Sequence, residues 1–366
     1  MRGMHVAVSP AGRDCYASVM FSFAVNLPRV AFGENAAEAL ARETARLGLR
    51  RVLLCCTRGA RSRAQALGGG FAGVFDGVEP HCPEPVVKAA LDAFRALGAD
   101  GVTAFGGGSA IGLGKVIALE TGHPLVAVPT TYSGSEMTAL YGMLVGEEKR
   151  TRRDEGCMAR AVIYDPALTF GLSAHVTATT GMNAAPHCVE ALYPERPHPF
   201  AALLAEAGLK ALASGLAGSV ARPDDRAARA QALYGAFLGG AVLALAGIAL
   251  HHKICHVLGG RHRLPHGESN AVVLPHVVAY NRAAAPAAMA AIGRALATDD
   301  PAGALFDLAA RLGAPQSLEA LGMAEADLDR AAELSVKATA WNPRPVDAPS
   351  LRRLLDDAYH GRRPRG

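Results

Sequence analysis

GVTAFGGGSAIGLGKVIALETGHPLVAVPTT, residues 101–131, decides the fold. An apolar run, GVTAF, enters three consecutive glycines. SAIGLGKVIALETG (109–122) then reads as a helix ending on Gly, and PLVAVPTT (124–131) reads as another strand. Strand, glycine turn, helix, strand is the repeating unit of a parallel sheet, whose ligands sit at the carboxyl ends of the strands. Gly106, Gly107 and Gly108 let the backbone turn tightly and come close to a ligand. The unbonded N–H groups at the helix start suit a pyrophosphate. The stretch is neither a GxGxxG fingerprint on a first strand nor a Walker loop, since no GK[ST] follows. Taken alone, it could equally be an ordinary tight turn.

The flanks extend the same alternation. RVLLCC (51–56) predicts a strand, EPVVKAALDAFRALG (84–98) a helix, and RAVIYDP (160–166) a last strand closed by Asp165-Pro166. Beyond Pro166 the pattern becomes helical, over 175–192, 199–215, 225–250, 270–280 and 301–312. The expected fold class is α/β: a Rossmann-like parallel-sheet, dinucleotide-binding domain over 21–166, followed by an all-helical catalytic domain over 167–366. Residues 1–20 lack a continuous apolar core of signal type and are expected to form a loosely ordered extension.

The 366 residues are 50% hydrophobic, enough for two domains. With 19% charged residues and a net charge of +4, nothing points to nucleic acid. The arginines at 150, 152 and 153 read as solvated surface. Seven cysteines without a CxxC pair suit a reduced, cytoplasmic protein. AFLGGAVLALAGIAL (236–250) is only 15 residues long, which predicts a buried helix and no membrane span.

Two further stretches carry chemistry. VPTTYSGSEMT (128–138) follows the second strand, so it should lie beside the glycine turn. It offers the hydroxyls of Thr130, Thr131, Tyr132, Ser133, Ser135 and Thr138. HHKICHVLGGRHRLPHGESN (251–270) places His252 and His256 four residues apart, with His266 in the turn LPHG. Upstream, GMNAAPHCVEALY (181–193) places Asn183 and His187 four apart on a helix whose start is marked by Thr180-Gly181. Three His and one amide nearly complete a first shell for Zn²⁺ or Fe²⁺, although an uncharged Asn is a poor ligand for either.

Together GGGSAIGLGK, VPTTYSGSEMT, TRRDEG, GMNAAPHCVEALY and ALHHKICHVLGG resemble the iron-containing alcohol dehydrogenase superfamily, and within it the maleylacetate reductases. The resemblance runs from about Phe21 to WNPRP (341–345). It implies NADH or NADPH held by Gly107, Gly108, Ser109, Thr130, Thr131, Ser135, Thr138 and Lys149. It places Asn183, His187, His252 and His266 where the alcohol dehydrogenases hold metal, and His256 near the nicotinamide. It further implies a metal-free reaction and a homodimer. Three departures stand out. Gly112 replaces the Asp frequent in dehydrogenase glycine loops, LPHGESN differs from the usual reductase wording, and Thr57 and Arg58 occupy the turn where an acid would grip the adenosine ribose. Without that acid, discrimination against NADPH should be weak.

The expected reaction is reduction of the C=C bond of a small dicarboxylate, maleylacetate, to 3-oxoadipate. Hydride addition β to the ketone leaves an enolate, and fixed donors aimed at the forming oxyanion are worth about 3–4 kcal/mol each. The candidates for holding substrate charge are His187, His252, Lys253, His256 and His266. His256 or His252 would deliver the proton, with Tyr132 as a second donor. Replacing Asp by Asn183 removes negative charge from a cleft receiving a dianion. The competing readings are a metal-dependent alcohol dehydrogenase using His187, His252 and His266, a sugar-phosphate cyclase related to dehydroquinate synthase, and a non-catalytic NAD-binding protein.

Overall fold

The computed structural model describes residues 21–146 and 148–364, apart from the side chains of Glu148 and Lys149. The extension expected over 1–20 lies outside the described residues. Six strands form one parallel sheet: β1 (Arg29–Phe32), β2 (Val52–Cys55), β3 (Gly73–Phe75), β4 (Gly101–Gly106), β5 (Leu125–Pro129) and, after a hairpin, β8 (Ala161–Tyr164). Helices α1 (Ala36–Arg46), α2 (Arg61–Gln65), α3 (Glu84–Ala96) and α4 (Gly108–Thr121) connect them. Spatial order is β1-β8-β5-β4-β2-β3. From β2 the chain steps outward to β3, and from β4 it steps the other way to β5. The sheet therefore switches direction between β2 and β4, and the glycine turn leaves β4 at that point, where open α/β sheets bind ligands.

The burial of β2, β4, β5 and β8 on both faces explains their unbroken apolar composition. Residues 140–153, LYGMLVGEEKRTRR, form an antiparallel pair, β6 (Leu140–Val145) and β7 (Glu148–Arg153). The arginines at 150, 152 and 153 lie on this second strand and are exposed.

From residue 174 onward the described structure is helical: α5 (Ala174–Ala191), α6 (Pro199–Ala221), α7 (Arg226–Ala246), α8 (Leu250–Arg261), α9 (His266–Asn281), α10 (Pro286–Leu296), α11 (Pro301–Arg311), α12 (Leu328–Ala338) and α13 (Ala348–Tyr359). Three local expectations need correction. The helix expected over 225–250 stops at Ala246, because Gly247 takes φ +76° and the chain turns before α8 begins at Leu250. Thr180-Gly181 does not begin a helix. The helix begins at Ala174, with the Ser173 side chain accepting from the Val176 N–H at 3.2 Å, and Gly181 lies mid-helix where Leu216 packs against it. His266 is the first residue of α9 and not part of a free turn.

By length and apolarity α6 and α7 could each cross a bilayer. Here they pack on one another and on α5 as the core of the helical domain, with Gly208, Gly215 and Gly235 lining the contact.

Candidate active site

The cofactor side of the cleft is built by β4 and β5. Their register pairs Gly106 with Pro129, so the glycine turn and the Thr130-Thr131 segment emerge side by side. The Thr130 N–H donates to Gly106 O at 3.0 Å. Gly106 has φ +145°, which favours glycine, and a Cβ on Gly107 would lie 3.0 Å from Thr131 Oγ1, so the turn is tightly packed. Gly107 is the N-cap of α4, no side chain caps that end, and its first turn carries no acid. Gly108 and Ser109 thus open a helix whose first N–H groups and positive dipole end remain available to an anion, with Thr131 alongside.

Not every hydroxyl predicted for the cofactor faces it. Thr138 is buried, donates to Ser135 O at 2.9 Å and accepts from Lys115 Nζ at 3.0 Å. Its hydroxyl therefore serves the loop's own shape. Ser135 Oγ lies 3.4 Å from Ser133 Oγ. Thr130 is largely buried and Thr131 half-buried. Lys149 stands in β7, and its side chain lies outside the described residues.

The histidines converge from three helices. The His187 ring on α5 stacks on His252 of α8 at 4.8 Å between centroids and 9° between planes. His252 meets His256 edge-on at 6.3 Å, and His256 stacks on His266 of α9 at 6.1 Å. His187 and His252 are buried, His266 is half-buried and His256 is exposed, so the row runs from the core out to solvent. His187 Nδ1 and His252 Nε2 are buried and find no hydrogen-bond partner among the described residues. Polar atoms in that condition inside a cleft await a ligand or water.

Behind the row lies Glu190, which sequence reasoning missed. It is buried, its Oε2 lies 2.5 Å from His252 Nδ1, and its Oε1 accepts from the His251 N–H at 2.7 Å. The carboxylate accepts a hydrogen bond from the His252 Nδ1–H, which fixes that tautomer and leaves Nε2 as the reactive nitrogen of His252. Asn183, His187 and Glu190 are spaced i, i+4, i+7, one face of α5, and this spacing was readable in GMNAAPHCVEALY. His251 is turned the other way, with Nε2 3.2 Å from Asn270 O.

Burial pushes His187 and His252 well below the ordinary imidazole value, and the neighbouring rings push further. His251 is pushed down to about 3, chiefly by burial. Burial raises Glu190. Burial therefore favours the neutral form of the two inner histidines in the free protein, a point the sequence leaves open. Lys253 is half-buried, and its charge also lowers His252, so it belongs to the same neighbourhood.

Tyr132 does not join this cluster. It is fully buried, and its hydroxyl accepts from Arg229 Nη1 at 3.1 Å. The same Arg229 nitrogen donates to Thr177 Oγ1 at 2.9 Å. Thr177 stands ten residues before His187 on α5, about 15 Å along the axis. The phenol is thus part of the packing between α5 and α7, which removes it as a proton donor to the cleft.

An amide relay joins the two halves of the site. Asn183 Nδ2 donates to Ser133 O at 3.3 Å, Asn183 Oδ1 accepts from Asn270 Nδ2 at 3.2 Å, and Asn270 Nδ2 also donates to His266 O at 2.6 Å. The relay bears on whether a divalent ion suits this donor set. The Asn183 oxygen already accepts an N–H, and Asn183 carries no charge. Glu190, His251 and His252 lie close enough together to be considered as ligands, but the Glu190 oxygens are spent on His252 and His251, and His251 Nε2 on Asn270. What remains is the imidazoles of His187, His252 and His266, with no anionic ligand beside them among the described residues. Three imidazoles can hold Zn²⁺, but without the charge that an Asp at position 183 would add, the set binds a divalent ion less firmly than one completed by a carboxylate.

Comparison with known proteins agrees with this architecture. Residues 28–166 match the family model for iron-containing alcohol dehydrogenase, and residues 177–359 match that for the C-terminal part of the Fe-containing alcohol dehydrogenase family. The maleylacetate reductase of Pseudomonas sp. strain P51 is 48% identical over 92% of this chain and 97% of its own. That of Burkholderia cepacia is 46% identical over 94% and 99%. The crystal structure of maleylacetate reductase from Agrobacterium tumefaciens superposes with a TM-score of 0.91 at 43% identity, covering 94% of this chain and all of that one (100%). An iron-containing alcohol dehydrogenase from Corynebacterium glutamicum gives a TM-score of 0.92 at 36% identity, over 95% and 99%.

Proposed function

The chain belongs to the iron-containing alcohol dehydrogenase family, and from that premise we propose that it is a maleylacetate reductase. It reduces the C=C bond of maleylacetate to 3-oxoadipate at the expense of NADH or NADPH, within the breakdown of aromatic compounds in the cytoplasm. The observation that carries the reading is the Glu190–His252–His187 arrangement, with His256 exposed and His266 half-buried beyond it, and with Asn183 of the same helix bonded to Ser133 beside a glycine turn that can hold a pyrophosphate. The curated maleylacetate reductases, similar over nearly the whole chain, support it.

NAD(P)H supplies hydride to the alkene carbon β to the ketone. Gly107, Gly108, Ser109 and Thr131 hold its pyrophosphate. Lys253, His256 and His266 meet the two substrate carboxylates at the open end of the row. As the dianion enters, its charge raises the affinity of the neighbouring imidazoles for protons, opposing the burial that kept them neutral. A proton is then at hand where the enolate forms. His252 Nε2 or His256 places that proton on the carbon α to the ketone, and Glu190 stabilises the His252 ring while its charge changes. Asn183 leaves the cleft one negative charge poorer than Asp would, which favours a dianion over a metal ion. A chlorine on the carbon that receives hydride can leave as chloride from the enolate. This restores the double bond and extends the substrate class to chloromaleylacetate. The absence of an acid at Thr57 and Arg58 supports use of both nicotinamide cofactors, and the family resemblance supports a homodimer.

The test is NADH consumption with maleylacetate by protein stripped of metal with a chelator. Undiminished turnover is expected. Turnover lost on stripping and restored by Zn²⁺ or Fe²⁺ would overturn the metal-free mechanism in favour of an alcohol dehydrogenase built on His187, His252 and His266.

A further inference from the structure

Lys115 lies two turns into α4, the helix whose first turn faces the pyrophosphate. It is 1% exposed. Its ammonium donates to Ser135 O at 2.6 Å, Leu140 O at 2.7 Å and Thr138 Oγ1 at 3.0 Å, so all three protons are used on one segment, residues 135–140. Among the described residues no carboxylate bonds it directly. Glu136, whose charge acts on it, is itself buried, accepts from Tyr164 OH at 2.7 Å and lies 3.5 Å from Ser133 Oγ. A buried ammonium without an ion-pair partner is costly, and a plain packing role would be met better by Leu or Met.

The two residues that lead into the segment, Ser133 and Gly134, explain the expense. A Cβ on Gly108 of the glycine turn would lie 3.9 Å from Ser133 Oγ, and Ser133 O accepts from Asn183 of the active-site helix. A Cβ on Gly134 would lie 2.9 Å from both N and Cα of Gly240 in α7. Residues 133–140 therefore form one wall of the cofactor cleft and also the seat of the helical domain. The residue that fixes this wall springs from the helix that forms the opposite wall.

We propose that Lys115 is a positioning residue for the nicotinamide cofactor, its ammonium locking residues 133–140 against the glycine turn so that both walls of the pyrophosphate site keep a fixed separation. The proposal rests on the nicotinamide reading of that turn. Burial brings Lys115 down to about 8, against the pull of Cys157 and Glu136, which face it from the segments packed on α4. Asp154 and Glu155 stand behind Cys157. Loss of its proton removes one of the three donors, so cofactor affinity should weaken on the alkaline side.

The experiment measures NADH dissociation by fluorescence and steady-state constants for NADH and maleylacetate in the unaltered chain, Lys115→Met and Thr138→Val. In Lys115→Met, both Kd and KM for NADH should rise about tenfold or more, as expected for losing charge-assisted hydrogen bonds. KM for maleylacetate and kcat at saturating NADH should stay within about threefold. Thr138→Val, which keeps the ammonium and removes one acceptor, should show the same split on a smaller scale. The unaltered chain should lose NADH affinity between about pH 7 and 9, and Lys115→Met should not. Unchanged NADH affinity in Lys115→Met overturns the proposal. If that variant does not fold, unchanged affinity in Thr138→Val together with a flat alkaline profile overturns it. Failure of the unaltered chain to bind NADH would instead overturn the cofactor reading underneath.

Discussion

Exchanging Glu190 for Gln keeps the shape of the side chain and replaces one of its two accepting oxygens with a donor. Both oxygens are in use, on His252 Nδ1 and on the His251 N–H. The variant therefore loses either the tautomer of His252 or the start of α8. We expect kcat to fall about 10–100-fold, the usual cost of removing the group that orients a working imidazole, with the KM for NADH little changed. Turnover within twofold of the unaltered chain would contradict the role given to Glu190. Tyr132→Phe should behave in the opposite way. Its hydroxyl serves buried Arg229, whose other partners are Thr177 Oγ1 and the carbonyls of Pro223 and Leu172. Thermal unfolding should show a loss of about 1–3 kcal/mol for the unsatisfied guanidinium proton, while turnover stays near normal. A large fall in kcat without destabilisation would return Tyr132 to the reaction.

Among the elements, the contact of α6 with α7 is the tightest in the helical domain. A Cβ on Gly215 would lie 2.7 Å from Ala232 Cα, and one on Gly235 2.6 Å from Leu212 N. Backbone cannot give way as a side-chain end can, so Gly215→Ala should cost about 1–3 kcal/mol by denaturant unfolding despite the better helix propensity of Ala. Unaltered stability would mean that the helices part easily. Which elements the sequence reveals follows the same physics. The β4–α4–β5 unit was legible because its strands are buried on both faces and its turn needs glycine, so composition and conformation point one way. The β6–β7 hairpin was not. Its first strand is only half-buried and its second, EKRTRR, is charged, so neither shows the apolar alternation by which strands are recognised. The break at Gly247 was hidden inside an evenly apolar Ala/Leu run, where periodicity carries little information. In the site, the His spacings were legible because ligand-bearing side chains must share a helix face. The loss of Tyr132 to Arg229 was not, because it depends on a partner 97 residues away.

For the whole molecule, the buried histidines set the response to acid. His251 is held at about 3 and His276 at about 4, both mainly by burial, and His187 and His252 are also low. Each binds its proton in the unfolded chain near 6.5 and in the folded chain only at lower pH. Stability is therefore complete above about pH 6.5 and falls as pH drops toward the folded values, by up to about 1.4 kcal/mol per pH unit for each histidine. Glu190, raised by burial, binds its proton earlier in the folded chain and offsets at most one of them. Thermal melts should show Tm falling from pH 6.5 toward 4, with a shallower fall in His276→Gln. A Tm that rises on acidification would contradict this balance.

The meeting of Gly134 with Gly240 has a mechanical meaning for that same whole. Two main chains touch there with only hydrogen atoms between them. Such a joint has nothing soft to compress, so the distance between α7 and the cofactor wall is set by backbone alone. A side chain at either glycine would act as a wedge there, prising the helical domain off the wall against which the cofactor is expected to lie.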